Sequence, residues 1–143
     1  MEASNAAVIR IGELQLRFHV DETQGSHDMV MFEFLVPSNA RVPAPHHHKD
    51  VDEVVYGLGG VLTTTVDGRT HEIRGGDTVF IPRGSVHHHE NRHSVTARAL
   101  IIMAPGAIGR RYFEEVAAAV NVPGKPDLDR IKEIMLRHGL VPA

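Results

Sequence analysis

Pro45-His46-His47-His48-Lys49-Asp50-Val51-Asp52-Glu53, followed later by Gly76-Asp77-Thr78-Val79-Phe80-Ile81-Pro82-Arg83-Gly84-Ser85-Val86-His87-His88-His89-Glu90-Asn91, is the pair of stretches from which the fold is read. In an extended chain, side chains two apart share a face, so His46 and His48 point one way and His47 the other. Glu53 follows after a short bend, and the tight turn Pro82-Arg83-Gly84-Ser85 delivers His87 from a later strand. Three imidazoles and a carboxylate converging inside a small β structure suit a divalent transition metal with positions left for substrate.

Together the two stretches resemble the paired motifs of the cupin superfamily. His46-x-His48-x4-Glu53-x6-Gly60 is similar to the first motif, and Gly76-x5-Pro82-x-Gly84-x2-His87-x3-Asn91 matches the second at every position. The first motif usually opens with Gly six residues before its first His. Here that place is Ala40, so the approach turn must be made differently. The resemblance spans about residues 30–103 and identifies the chain as similar to small metal-binding cupins of the quercetin dioxygenase-like type. It implies an all-β double-stranded β-helix (a jelly-roll barrel). It also implies one divalent metal (Fe, Mn, Ni, Co, Cu or Zn) on His46, His48, Glu53 and His87, and a small-molecule substrate. The activity it suggests first is a dioxygenase acting on an enolic or aromatic compound, with Glu53 as the catalytic base. The alternatives are an isomerase or lyase, or a non-catalytic metal- or ligand-binding cupin. His89, two residues beyond His87, and Tyr56 are candidates to support the metal ligands or to touch substrate. Small cupins of this kind usually form homodimers. The apolar face of the segment Leu14–Val20 suggests a sheet edge through which two copies join.

Outside the motifs, short alternating segments continue the β pattern. Leu14–Val20 and Val30–Val36 alternate apolar and polar residues, Val61–Val66 meets the hairpin signal Asp67-Gly68, and Val95–Met103 reads as a final core strand. Pro43 and Pro45 hold the approach to His46 extended. From Gly109 the period changes. Tyr112, Phe113, Val116 and Val120 form one helical stripe, read as a core face, ending at Pro123-Gly124. Leu128, Ile131, Ile134 and Met135 form a second over about 126–138. These two helices are expected on the outside of the barrel. The expected organisation is one domain over 1–143, with a barrel core of about 8–105, a helical segment of about 109–143 and a loose tail at residues 1–5.

The chain has 143 residues, 42% hydrophobic and 23% charged, the balance of an ordinary globular domain. No apolar run approaches the roughly 18–20 residues that span a bilayer, and the first residues lack a signal-peptide layout. With no Cys, thiolate ligands, disulfides and a Cys nucleophile are excluded, which fits the cytoplasm. A net charge of −3 without a basic stripe argues against a nucleic-acid partner. Of eleven His, six lie in the two triplets. His47 and His88 are expected at the surface, as are His19, His27, His71, His93 and His138 unless they are structural. Asn91 is expected to brace the turn after the ligand strand.

Overall fold

A computed structural model of the chain describes residues 7–24 and 27–143. The tail at 1–5 and Gly25 therefore lie outside the described residues. Among the described residues, alternation of apolar and polar side chains produces eleven strands arranged in two antiparallel sheets. The first sheet has the order β1 (Ala7–Ile11), β2 (Leu14–Val20), β3 (Val30–Val36), β10 (Ala97–Ala104), β5 (Asp52–Gly59) and β8 (Thr78–Ile81). The second runs β11 (Leu140–Pro142), β4 (His46–His48), β9 (His87–Glu90), β6 (Leu62–Val66) and β7 (Arg69–Ile73). The inward row of the first sheet is Leu16, Phe18, Phe32, Phe34, Val55, Ala99, Ile101 and Met103, all buried. This is the two-sheet jelly roll expected from the sequence.

Three local features depart from the expectation. Leu14–Val20 is not an edge: β1 pairs with it through Ile9↔Leu16 and Ile11↔Leu14, so β2 is internal and β1 forms the border. Alternation in Val8-Ile9-Arg10-Ile11 is too short to separate a strand from the start of the next one by sequence. A last strand, β11, pairs with β4 at Leu140↔His48 and Pro142↔His46, completing the sheet beside the His46–His48 strand. The approach turn lacking Gly at position 40 is closed by Ala40 N–H donating to Pro37 O at 3.0 Å, with Asn39 taking the left-handed φ of 65°. Asn tolerates that region better than most side chains.

The helices α1 (Arg110–Val120) and α2 (Leu128–Arg137) do not sit on the outside of the barrel; they close its mouth. Phe113 packs against Phe18 and Phe32, with ring centroids 5.8 and 5.3 Å apart. Val116, Ile131 and Met135 face the same interior. The reason is composition: the open end of the barrel presents aromatic and aliphatic side chains that only an apolar helix face can keep from water. Leu128, expected in the α2 stripe, is 67% exposed because Asp127 starts the helix by accepting from Asp129 N and Arg130 N, leaving Leu128 in a first turn that faces outward. α1 has no side-chain cap of its own; Glu22 from the β2–β3 connection accepts from Arg110 N (2.8 Å) and Arg111 N (3.0 Å). A side chain at Gly109 would collide with that carboxylate.

Candidate metal centre

β4 is only three residues long, so its partners on either side decide where its side chains point. His46 lies opposite His87 of β9, and β11 holds the other edge. Period two then sends His46 and His48 inward and His47 outward. Glu53 is the second residue of β5, on the facing sheet, opposite Ile81 of β8. The turn before His87 closes through Ser85 N–H to Pro82 O at 3.1 Å, with Gly84 at φ 87° as such a turn requires. Two ties fix this turn to its surroundings. Asp52 accepts from Arg83 N at 2.9 Å and from both Arg83 Nε and Nη2 at 3.1 Å, linking the turn to the strand that presents Glu53. Asp67, at the β6–β7 hairpin, accepts from Val86 N at 3.0 Å.

The resulting cluster is buried: His48, Glu53, His87 and His89 are each under 5% exposed. His46 Nδ1 donates to Ala44 O at 2.9 Å and His87 Nδ1 to Ser85 O at 3.0 Å. Each bond places the ring proton on Nδ1 and leaves Nε2 with a bare lone pair. His46 Nε2 lies 3.2 Å from His48 Nε2. His87 Nε2 is buried without a hydrogen-bond partner. Glu53 Oε1 is 3.7 Å from His87 Nε2 and 3.9 Å from His48 Nε2. Donor atoms sharing a metal at about 2.1 Å stand roughly 3–3.5 Å apart at neighbouring coordination positions, close to these spacings. An orphaned imidazole nitrogen and two imidazole nitrogens facing one another are costly unless a cation lies between them. The donor set therefore fits a divalent transition metal.

The electrostatics agree for His46, His48 and Glu53, while His87 is pulled toward its protonated form when no cation is present. Burial pushes His46 down to about 3 and His48 down to about 4, with the neighbouring imidazole of His87 adding to the effect, so both are neutral near pH 7. Burial alone would raise the Glu53 carboxyl, but His87 and His89 outweigh it and hold Glu53 well below the usual carboxylate range. Burial likewise opposes charge on His87, yet the Glu53 carboxylate pulls that imidazole upward. Glu53 is thus an ionised carboxylate in an apolar interior, the environment in which a cation is most strongly held.

His89 lines the same space. Its Nε2 lies 2.8 Å from Glu53 Oε2, and its Nδ1 lies 2.9 Å from the hydroxyl of the fully buried Thr64. Thr64 can donate to Nδ1, which leaves the His89 proton on Nε2 to bond Glu53. Thr64 is the residue the sequence reading missed; its only mark in the sequence is a place on a β-branched run, and the structure sets it directly opposite His89 on the neighbouring strand. Tyr56 is not part of the site. It sits three positions after Glu53 on β5, with opposite parity, and is 41% exposed on the outer face. His47 and His88 face away as expected, though both are half-buried, and His88 Nε2 bonds Val42 O at 3.2 Å. Asn91 braces the following turn, donating to Val36 O and Val95 O at 2.9 and 2.8 Å. His93 and His138 are structural, pairing with Glu72 and Glu115 at 2.7 and 2.9 Å.

Behind the cluster lies a partly open cavity of about 80 Å³. Its polar end is the His and Glu cluster, and the rest of its wall is almost wholly apolar, including Phe32, Phe34, Ile101 and Met103. Among the described residues, no Lys, Arg or Asp side chain lines it.

A family model described as Cupin domain matches residues 32–103, the span holding every ligand candidate. Solved structures share the fold. The polyketide cyclase RemF from Streptomyces resistomycificus is 27% identical, with a TM-score of 0.62 over 74% of this chain and 78% of that one. A predicted oxalate decarboxylase from Thermotoga maritima is 20% identical, with a TM-score of 0.66 over 73% and 96%. A sugar phosphate isomerase from Silicibacter pomeroyi is 19% identical, with a TM-score of 0.57 over 73% and 71%. Among curated proteins no match is found.

Proposed function

The chain belongs to the cupin domain family, and on that premise we propose that it is a metal-dependent enzyme that moves a proton at a carbon beside a carbonyl or enol of a small molecule. The observation that carries this reading is Glu53: one carboxylate oxygen faces the imidazole nitrogens of the ligand set, and the other is held at 2.8 Å by His89. His46, His48, His87 and Glu53 would hold the ion, which supplies Lewis acidity toward a substrate oxygen. Glu53 would accept the proton on Oε1 by swinging that oxygen out of the ligand set, while His89 keeps Oε2. His89, fixed by Thr64, keeps the second oxygen in place and steadies the carboxylate as its charge changes. The apolar wall keeps water from the reacting atoms.

This chemistry is that of a cyclase, isomerase or lyase, and the likeness to a polyketide cyclase at 27% identity supports it. The dioxygenase suggested by the motifs would begin with the same proton transfer and would then consume oxygen. We further propose a homodimer, through the outer face of the first sheet rather than through β2.

Two measurements test the reading. Purified protein should contain about one transition-metal ion per chain, and His48→Ala and His87→Ala should lose most of it while keeping the β-sheet circular-dichroism spectrum. Unchanged stoichiometry in both variants would remove the ligand assignment. Incubating the metal-loaded protein with enolisable diketones in deuterated water should exchange the proton beside the carbonyl without oxygen uptake. Oxygen consumption matching substrate loss would instead establish the dioxygenase.

A further inference from the structure

The metal cluster lies at the inner end of a cavity that the helical cap partly covers, so a substrate needs a route. Within each sheet the strands are hydrogen-bonded to one another, and a molecule cannot pass between paired strands without breaking a ladder. The capped mouth offers a way that breaks none. There a surface groove of about 370 Å³ runs between the β1–β2 turn, residues 39–43 and the start of α2. It shares Ile11, Leu14, Val42, Pro43 and Ile131 with the inner cavity, so these few apolar side chains are all that separates the two spaces.

The helical cap is tied unevenly around this place. α1 is held at its start by Glu22 and at its end by Asn121, which accepts from Gly12 N at 2.8 Å and donates to Arg10 O at 2.7 Å. α2 is held at its end: Gly139 O accepts from Lys49 N at 2.9 Å, β11 pairs with β4, and His138 bonds Glu115. The start of α2 has only its own cap at Asp127, and among the described residues, positions 122–126 make no hydrogen bond to the barrel. α2 can therefore tilt about its anchored end, carrying Ile131 away from Leu14 and Val42. Such gating of a buried site by a partly tethered element is a common physical solution to access.

We infer that this groove is the vestibule of the active site, and that Ile131, with Leu14 and Val42, is the gate that selects what enters. The inference rests on the reading of the His and Glu cluster as a metal site for a small molecule. It also names the substrate class. Beyond the gate no cationic side chain meets an anion, and hydroxyl groups along the apolar wall would lose their hydrogen bonds to water without replacement. The portion that enters is uncharged and apolar, with its oxygens gathered at the metal end. Polar groups of a longer substrate remain in the groove, where Asn39, Arg41 and Glu13 stand.

Two arms test the gate. In metal-free protein, diethyl pyrocarbonate labelling of the buried His87 and His89 is followed by peptide mass. In cobalt-loaded protein, binding of 1-phenyl-1,3-butanedione is followed by stopped-flow absorbance of the cobalt. Ile131→Trp should slow both by about tenfold or more, and Ile131→Ala should speed both, with cobalt content unchanged. Because Ile131 is a core position, Leu128→Trp serves as a second variant that narrows the groove from an exposed site. Acetoacetate, with the same dicarbonyl head but a charge, should bind cobalt-loaded protein at least about tenfold more weakly than the phenyl diketone. Unchanged rates in both Trp variants, with melting midpoints retained, would place the entrance elsewhere, and equal binding of acetoacetate would overturn the substrate class. Failure to take up cobalt would sink the metal reading instead, and the labelling arm would still decide the route.

Discussion

Glu53 has two oxygens with different neighbours, and that asymmetry predicts how its substitution behaves. Glu53→Gln keeps the size and an oxygen donor toward the imidazoles but cannot take a proton near neutral pH. Proton exchange of the diketone should fall by about 100-fold or more while metal content falls much less; matching losses would reduce Glu53 to a ligand alone. The depressed imidazoles make a second prediction. His46 and His48 titrate near 3 and 4 in the folded chain and near 6.5 when unfolded, so between those values the unfolded state binds more protons. Stability of the metal-free protein therefore falls as pH drops below about 6.5. Glu53, whose pKa is lowered, adds to the loss at the acid end as the pH falls through its folded value. His87, shifted upward, works in the opposite sense: its contribution is full below the unfolded value and lost as pH rises through the folded one. Urea denaturation should show a net loss of about 2–4 kcal/mol between pH 7 and 5. A flat profile would mean that these imidazoles are solvated.

The elements that position the site differ in how plainly they are written in the sequence. β4, β9 and the Pro82–Ser85 turn were legible because His spacing, Pro and Gly each restrict the backbone locally. The Asp67-Gly68 hairpin was legible for the same reason, with both residues at positive φ. Ala7–Ile11 and Leu140–Pro142 were not, because so few residues carry no periodicity and their pairing is decided by distant partners. The helical stripes of α1 and α2 were visible, but a stripe says that a face is buried and not what buries it. Here the partner is the barrel interior. β11 in turn predicts that removing residues 140–143 leaves β4 without its outer neighbour. Metal affinity should drop by about 10-fold or more, as when other supports of ligand side chains are removed. Calorimetric metal titration of the shortened chain checks this, and an unchanged affinity would show that β9 alone orients His46 and His48.

At the scale of the whole molecule, the outer face of the first sheet is unusually apolar for a surface. Register aligns Phe80, Val54, Ile102 and Met31 in one row, and Tyr56 beside Leu100 in the next. Phe80 is 57% exposed, and Leu58 stands open on the same side. A contiguous patch of this kind is the surface through which the proposed dimer would form, with Tyr56 in it. Light scattering should give twice the chain mass for the intact protein, and Phe80→Asp should shift it to the monomer without loss of metal. A monomeric intact protein would remove the dimer. The pairing of β11 with β4 also bears on the order in which the protein is made. The imidazole-bearing strand emerges early from the ribosome, but its outer neighbour is translated only after both helices. A nascent chain paused before Leu140 would expose an unpaired, histidine-rich edge to the cell's metal pool and to chaperones, so ion loading should follow the emergence of β11 rather than that of β4.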